Sequence, residues 1–206
     1  GINHYNNFGK AEGRNLNSFD VSAYLSKYSD LSAAFGNDEI SALKHYIQYG
    51  FSEGRTDSFF SQIGNDIDGE GRSDFSGWSV SLSNDGSIVA IGAYKNDGVA
   101  QNSGHVRIYE NNSGSWVQVG SDIDGEKKND YLGNSVSLSG DGSIVAIGAY
   151  KHDGGGSSSG LVRIYKNNSG AWEQIGNDID GEGKSDNSGV SVSLSNDGSI
   201  GAIGAN

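Results

Sequence analysis

The sequence predicts a mainly β fold, in which four-stranded antiparallel blades repeat every 56 residues after a small α-helical module. Two observations support this prediction. The segment SVSLSNDGSIVAIGA, which begins at Ser79, returns at Ser135 and, as SVSLSNDGSIGAIGA, at Ser191. Before about residue 58, by contrast, the apolar residues follow helical spacing. A fixed period of this length is the signature of a repeat architecture, and it decides the fold prediction.

Composition narrows the functional classes. The 206 residues include no Cys, which excludes disulfides, thiolate metal sites and Cys nucleophiles. A net charge of −12 with only 14 Lys and Arg argues against nucleic acid as a partner. The sequence has no run of 18 apolar residues, so we expect no membrane insertion. The chain contains no Met and begins with Gly1, and we expect it to be a processed or excised piece.

The helical module is predicted to span residues 1–57. Apolar residues from Val21 to Phe35 follow helical spacing, and Asp20 precedes them as a candidate N-cap. A second helix is expected after Asn37 or Asp38, and Gly50 is a natural stop for it.

An internal echo marks this module. HYNNFGKAEGR at His4 recurs as HYIQYGFSEGR at His45, 41 residues later. These units resemble the short helical repeats with an HYxxxGxxEGR ending that occur in large secreted bacterial proteins. The resemblance implies an extracellular setting and no activity of its own. We expect His45 and Arg55 to serve packing and Glu–Arg pairing, as their counterparts His4 and Arg14 would.

Each 56-residue period contains four strand-like runs that are separated by turn residues. Their apolarity falls from the second run to the fourth, which is typical of a β-propeller blade. An antiparallel sandwich would not need a 56-residue identity. The runs of the first period, in order, are SVSLS, IVAIGA, GHVRIYE and WVQVGSDI.

The propeller is predicted to span residues 58–206 and to be incomplete. Its parts are the fourth strand of one blade at residues 60–68, blades at 64–119 and 120–175, and a half blade at 176–206. Closed propellers usually have about four to eight blades, so this piece cannot close a ring alone. Either it belongs to a longer chain, or blades from several chains meet. We therefore expect that it can self-associate.

The motif SVSLSxDGSIVAIGA followed by SGxVRIY resembles the FG-GAP repeats of integrin α-subunit-type propellers and their bacterial relatives. The resemblance covers about residues 58–206. It implies a propeller in a secreted or cell-surface protein. It does not identify the ligand, because propellers host both enzymes and binding modules.

Three near-identical acidic segments are the candidate metal sites. DIDGEGRSD at Asp66 returns as DIDGEKKND at Asp122 and as DIDGEGKSD at Asp178. Acids at positions 1, 3, 5 and 9 follow the spacing of calcium-binding loops, and carboxylate oxygens suit Ca²⁺. The candidate ligands are Asp66, Asp68, Glu70, Asp74, Asp122, Asp124, Glu126, Asp130, Asp178, Asp180, Glu182 and Asp186.

A second interpretation of these segments stays open. They fall between blades, whereas integrin-type metal loops lie between the first two strands of a blade. Ile67, Ile123 and Ile179 sit among the acids and indicate a strand end. The segments would then be polar joints whose carboxylates accept from backbone N–H groups. Position 6 is Gly in the outer copies but Lys127 in the second, where calcium fits least well.

The loop after the second strand is the candidate ligand rim. Tyr94, Asp97, Tyr150 and Asp153 recur there at the same spacing, beside Lys95 and Lys151, and would emerge near the acidic segments. We expect the three tryptophans, Trp78, Trp116 and Trp172, to pack between blades.

No enzyme is predicted. His105 and His152 are not repeated between blades, and no HExxH, GxSxG or GxxxxGK[ST] motif occurs. The favoured function is a non-enzymatic, secreted or cell-surface segment for adhesion, surface assembly or filament formation. Its expected partners are other protein chains or surface glycans, with calcium as a candidate stabiliser. The alternatives are a carbohydrate-binding propeller and the non-catalytic region of a large secreted hydrolase.

Overall fold

The computed structural model describes residues 20–50, 52–55 and 62–206. The chain divides into two compact units, Gly1–Gln62 and Ile63–Asn206. The boundary predicted near residue 58, together with His4 and Arg14, lies outside the described residues. None of the described helices is long and apolar enough to cross a membrane.

The helical unit contains short helices with the expected N-caps. The Asp20 carboxylate accepts a hydrogen bond from the backbone N–H of Ala23 at 2.9 Å. Asp38 caps the third helix in the same way, since it accepts from the N–H of Ser41 at 3.1 Å. The helical segments are α1 (Val21–Lys27), α2 (Ser29–Phe35), α3 (Glu39–His45) and a π-helical turn (Tyr46–Gly50).

The long first helix expected from Val21 to Phe35 is wrong in one respect, because Tyr28 divides it. Tyr28 is extended, with φ −116° and ψ 101°, and it begins α2 instead of continuing α1. Its ring packs edge-on against Tyr24 at 5.5 Å and lies 4.9 Å from the guanidinium carbon of Arg55. These tertiary contacts hold the residue out of the helical conformation that its sequence spacing suggests.

The centre of the helical unit is Tyr24, which is fully buried. Its hydroxyl lies 3.1 Å from Nδ1 of His45, and burial raises the pKa of Tyr24 to about 12. Arg55 bonds Glu53 and Asp30, each at 2.8 Å. His45 and Arg55 therefore serve packing and ion pairing, as expected.

The second unit consists of antiparallel sheets that follow the predicted period. The first two sheets have the blade order, in which each strand pairs with the next along the chain. The strands of the first sheet are β1 (Ser76–Leu82), β2 (Ile88–Ala93), β3 (His105–Asn112), β4 (Ser115–Gln118) and β5 (Ile123–Asp124). Those of the second are β6 (Ser135–Leu138), β7 (Ile144–Ala149), β8 (Leu161–Asn168), β9 (Ala171–Gln174) and β10 (Ile179–Asp180), and the third has β11 (Ser191–Leu194) and β12 (Gly201–Gly204).

The fourth strand of each blade differs from the prediction because it is divided. Both β4 and β5 pair with β3, with Gln118 opposite Tyr109 and Ile123 opposite Val106. Gly120, with φ 75°, lies in the break. Residues 62–68, which align with a fourth strand, form no strand, and no third strand to pair with them lies in the described part of the chain.

The hydrophobic core is centred on the middle blade. Val145, Ile147 and Leu161 are fully buried there. The second strand IVAIGA is buried on both faces, as predicted from its nearly continuous apolar run. Within the described residues the sheets form an open stack of blades and no closed ring.

Adjacent blades are joined by serine hydroxyls that meet backbone groups. Ser79 Oγ donates to the carbonyl of Gly133 at 2.8 Å, and Ser81 Oγ accepts from the N–H of Leu138 at 2.9 Å. The same bonds recur at the next junction, from Ser135 Oγ to Gly189 at 2.7 Å and from Leu194 N–H to Ser137 Oγ at 2.9 Å. The blade junction is therefore a repeated structure in its own right.

The junction requires glycine on the second strand. A Cβ at Gly148 would lie 2.1 Å from the carbonyl oxygen of Gly189 and 2.4 Å from Ser135 Oγ. Gly92 meets Gly133 in the same way in the preceding junction, also at 2.1 Å. No side chain fits between the two backbones at this distance.

We predict that Gly148→Ala lowers the free energy of unfolding by about 1 to 3 kcal/mol, because it forces two blades apart. The measurement is urea denaturation followed by tryptophan fluorescence. Gly201→Ala is the matched control, since a Cβ at this strand glycine makes only ordinary contacts, the nearest at 3.5 Å from Leu194. Equal effects of the two substitutions would show that the close approach is not a constraint.

Candidate functional site

The three acidic segments lie at the joints between blades. In the second and third copies the isoleucine of the segment belongs to a short strand, β5 or β10, as its position among the acids suggested. Asp124 lies opposite His105 in β3, and Asp180 lies opposite Leu161 in β8. Each segment therefore begins as the outer strand of one blade and ends at the first strand of the next.

The first acid of the segment binds an arginine of its own blade. Asp178 accepts two hydrogen bonds from Arg163, from Nε and from NH2, each at 2.8 Å. This bidentate contact is the main reason that the pKa of Asp178 falls to about 2. In the preceding blade Asp122 accepts from Arg107 Nε at 3.2 Å and from Gln118 at 2.6 Å.

The glutamate at position 5 reaches the arginine of the following blade. Glu126 lies 3.1 Å from NH2 of Arg163, and Glu70 contacts NH2 of Arg107. Each arginine is thus held between one acid of the joint before its blade and one acid of the joint after it. We call the groups Glu70–Arg107–Asp122 and Glu126–Arg163–Asp178 the arginine clamps.

The acid at position 9 shapes the turn of the joint. Asp130 accepts from the backbone N–H of Lys127 at 2.8 Å, and Asp186 accepts from that of Gly183 at 2.6 Å. These are the backbone contacts of the polar-joint interpretation. Asp74 accepts from the side chain of Asn96 at 2.9 Å.

His152 takes the place of Asn96 in the second blade. Its Nδ1 lies 3.2 Å from the Asp130 carboxylate, but the angle does not make a hydrogen bond. Both side chains are buried. The histidine therefore fills a position in the joint that the repeat assigns to a hydrogen-bonding partner of the position 9 acid.

The remaining predicted ligands are spread out. Asp66 and Asp68 line a cleft of about 280 Å³ beside Tyr109 and Trp116. Asp122 and Asp124 line the equivalent cleft of the next blade, beside Tyr165 and Trp172. Asp180 and Glu182 are exposed and form no ion pair with any described residue.

The carboxylates of one segment do not converge on a common point. In residues 20–50, 52–55 and 62–206, the only three His, Asp or Glu side chains with ligand atoms within 4.8 Å of one another are Glu70, His105 and Asp122. They come from two segments and one strand, and Arg107 already contacts both acids. These contacts favour the polar joint, and metal binding at the twelve acids stays a prediction.

We predict that thermal melts in excess Ca²⁺ and in chelator coincide, because most of the clustered carboxylates already bind arginine or backbone N–H groups. Mg²⁺ at equal ionic strength is the control for simple screening of the −12 net charge. A higher melting temperature in Ca²⁺ alone would contradict this expectation, since a ligand that binds only the folded state stabilises it by mass action.

We predict that Arg163→Met destabilises the chain by about 1 to 3 kcal/mol, the loss expected when hydrogen bonds to charged groups are removed. The Arg163 side chain is 5% exposed, and its loss leaves Glu126 and Asp178 without their shared cation. Denaturant titration measures the change. Lys166→Met, on an exposed lysine of the same strand, removes one charge without breaking a clamp and is expected to be nearly neutral. Similar losses in both variants would exclude a special role for the clamp.

The predicted ligand rim separates into two parts with different roles. Asp97 accepts from the backbone N–H of Asn102, and Asp153 accepts from that of Ser158, each at 2.7 Å. These acids close their own loops. Tyr94 is buried and Tyr150 is half-buried, and both belong to a larger group of rings.

A continuous aromatic row crosses the first two blades. Ring centroids are 4.9 Å apart between Trp78 and Tyr94, 5.7 Å between Tyr94 and Tyr131, and 5.7 Å between Tyr131 and Tyr150. Phe75 joins the row at 5.5 Å from Tyr94. We call these residues the aromatic row: Phe75, Trp78, Tyr94, Tyr131 and Tyr150.

Three members of the row were missed from the sequence. Trp78, which we expected to pack between blades, is 58% exposed, and Phe75 is 45% exposed. Trp116 and Trp172 do pack between blades, since each indole N–H donates to a backbone carbonyl of the preceding joint. The signal that could have found Phe75 and Tyr131 is their shared position, directly after the last acid of the segment.

The backbone at this position is strained. Phe75 has φ 57° and Tyr131 has φ 58°, in the left-handed region that large side chains rarely adopt. Such conformations cost of order 1 to 3 kcal/mol and persist only where the surrounding structure fixes them. Lys95 Nζ lies 4.7 Å from the Phe75 ring, and Lys151 Nζ lies 5.2 Å from the Tyr150 ring. The joint therefore holds its aromatic residue in a fixed orientation.

Comparison with known proteins gives one match. Residues 67–109 and 121–165 match the family model described as FG-GAP repeat. Each match runs from an acidic segment or its edge to the end of the VRIY sequence, and the helical unit lies outside both. No curated protein matches the chain significantly.

Proposed function

Because this chain contains FG-GAP repeats, a non-catalytic repeat family typical of extracellular proteins, we propose that it is an adhesion segment of a secreted or cell-surface protein. Its blades form a rigid scaffold, and its contact surface is the aromatic row. The function is binding to another surface, without turnover of a substrate.

The exposure of the aromatic row carries this proposal. Phe75 and Trp78 lie side by side, with ring centroids 6.2 Å apart, and present large apolar surfaces to solvent. Exposed aromatic groups of this kind mark interaction sites more often than they mark structural positions. The strained backbone at Phe75 and Tyr131 supports the same proposal, because strain is retained where a fixed orientation is useful.

Carbohydrate is the second candidate ligand, and the same row favours it. Aromatic rings offer an apolar face against which the C–H face of a sugar ring can stack. The net charge of −12 argues against anionic glycans as partners of this surface. A neutral polysaccharide therefore fits the row better than an acidic one does.

We predict that beads coated with the chain attach to a surface of neutral polysaccharide, and that Trp78→Ala weakens the attachment about tenfold. This factor corresponds to about 1.4 kcal/mol, which is within the range of one aromatic contact. Val117→Ala is the control, because Val117 is also exposed but lies on β4, away from the row. Bead retention under flow is the measurement.

The outcomes separate the two candidates. Attachment to protein-coated surfaces alone, still sensitive to Trp78→Ala, would support adhesion and exclude carbohydrate. Attachment that is insensitive to Trp78→Ala would exclude the aromatic row as the contact surface. No attachment to either surface would contradict the adhesion proposal.

A further inference from the structure

The blade junction has two different sides, and both sides are exposed at the ends of the stack. At each internal junction one blade contributes the serine hydroxyls and the second-strand glycine. The next blade contributes a glycine carbonyl, a leucine N–H and the apolar residues of its first strand. The pattern is the same at the first and second junctions, as Ser81 with Leu138 and Ser137 with Leu194 show.

The first blade exposes the side that receives serines. Val80 and Leu82 are each 59% exposed, whereas their counterparts Val136 and Leu138 are 9% and 6% exposed. The sequences of these strands are the same, SVSL. The only change is that β1 lacks, within the described residues, the neighbouring blade that β6 has.

The half blade exposes the side that donates serines. Ser191 and Ser193 correspond to the junction serines Ser135 and Ser137, 56 residues earlier. In the described part of the chain, neither hydroxyl of this last pair bonds to another blade, while both earlier hydroxyls do.

An isoleucine completes the exposed side of the half blade. At the internal junctions Ile88 packs on Gly142 of the next blade, and Ile144 packs on Gly198. The equivalent residue of the half blade is Ile200, which is 70% exposed. The exposed groups of the half blade are therefore those that the first blade would receive.

We propose that copies of this chain associate head to tail through a third copy of the same junction. The β11–β12 hairpin of one copy packs on β1 of a second copy. Ser193 Oγ then accepts from the N–H of Leu82, and Ser191 Oγ donates to the carbonyl of Gly77. Ile200 packs on Gly86 of the second copy, as Ile88 packs on Gly142 within the chain.

A second copy is the occupant that the structure favours because the two exposed sides match group by group. A different protein would have to offer the same SVSL strand and turn glycine at the same spacing. The contact joins unlike surfaces, so it leaves one of each side free after every step. Association of this kind builds open chains, or a ring if the rotation closes.

The test is the mass of the 206-residue chain in solution, measured by sedimentation over a wide concentration range. We expect the mean mass to rise beyond a dimer as concentration increases. Val80→Asp places a carboxylate in the junction and should raise the apparent dissociation constant about 100-fold. Val99→Asp is the matched control, since Val99 is 58% exposed in the loop between β2 and β3 and should leave the mass unchanged.

A mixing experiment identifies the two sides. Val80→Asp keeps the half-blade side intact, and Ile200→Asp keeps the first-blade side intact. Each variant alone should remain monomeric, and an equal mixture should form dimers and nothing larger. Circular dichroism checks that both variants are folded.

Three results would overturn the proposal. The first is a wild-type chain that stays monomeric at every concentration, as it would if its own residues covered the first blade. The second is an association that Val80→Asp does not weaken. The third is a mixture of the two variants that remains monomeric although both are folded. The outcome does not depend on whether the aromatic row binds a surface.

Discussion

The close approach of backbones between blades is the constraint on which the propeller unit depends. At Gly148 and Gly189 two blades meet with room for no side chain, and serine hydroxyls bond the facing carbonyl and N–H groups. This contact fixes the distance between sheets. The apolar residues of the first strand are buried as a consequence, because the neighbouring blade then covers Val136 and Leu138.

The acidic segments follow from the same constraint. Once two blades are fixed, the chain between them must turn sharply, and its carboxylates have to be neutralised or hydrogen-bonded. The arginine clamps neutralise one acid from each of two successive joints, and the last acid binds backbone N–H groups in the turn. The aromatic row is a by-product of this turn, since the residue after the last acid is forced into a left-handed conformation at the surface.

The strands and their order could be predicted from the 56-residue period and the turn residues, and the FG-GAP match confirms the repeat. The partners of the acids could not be predicted. The spacing of carboxylates along a segment suggested one shared ion, but Arg163 lies 15 residues from Asp178 and 37 from Glu126 in the sequence. Only the pairing of β8 within its blade, and the packing of that blade on the joint, bring the three together.

The sequence by itself determined the repeat, the blade strands, the two helix caps and the position of every joint, because local spacing and turn chemistry encode these features. Tertiary structure decided the break at Tyr28, the division of the fourth strand, the assignment of acids to arginines and the exposure of Trp78. Each of these depends on which distant groups become neighbours. A period in the sequence shows that neighbours repeat, but it does not show which atoms touch.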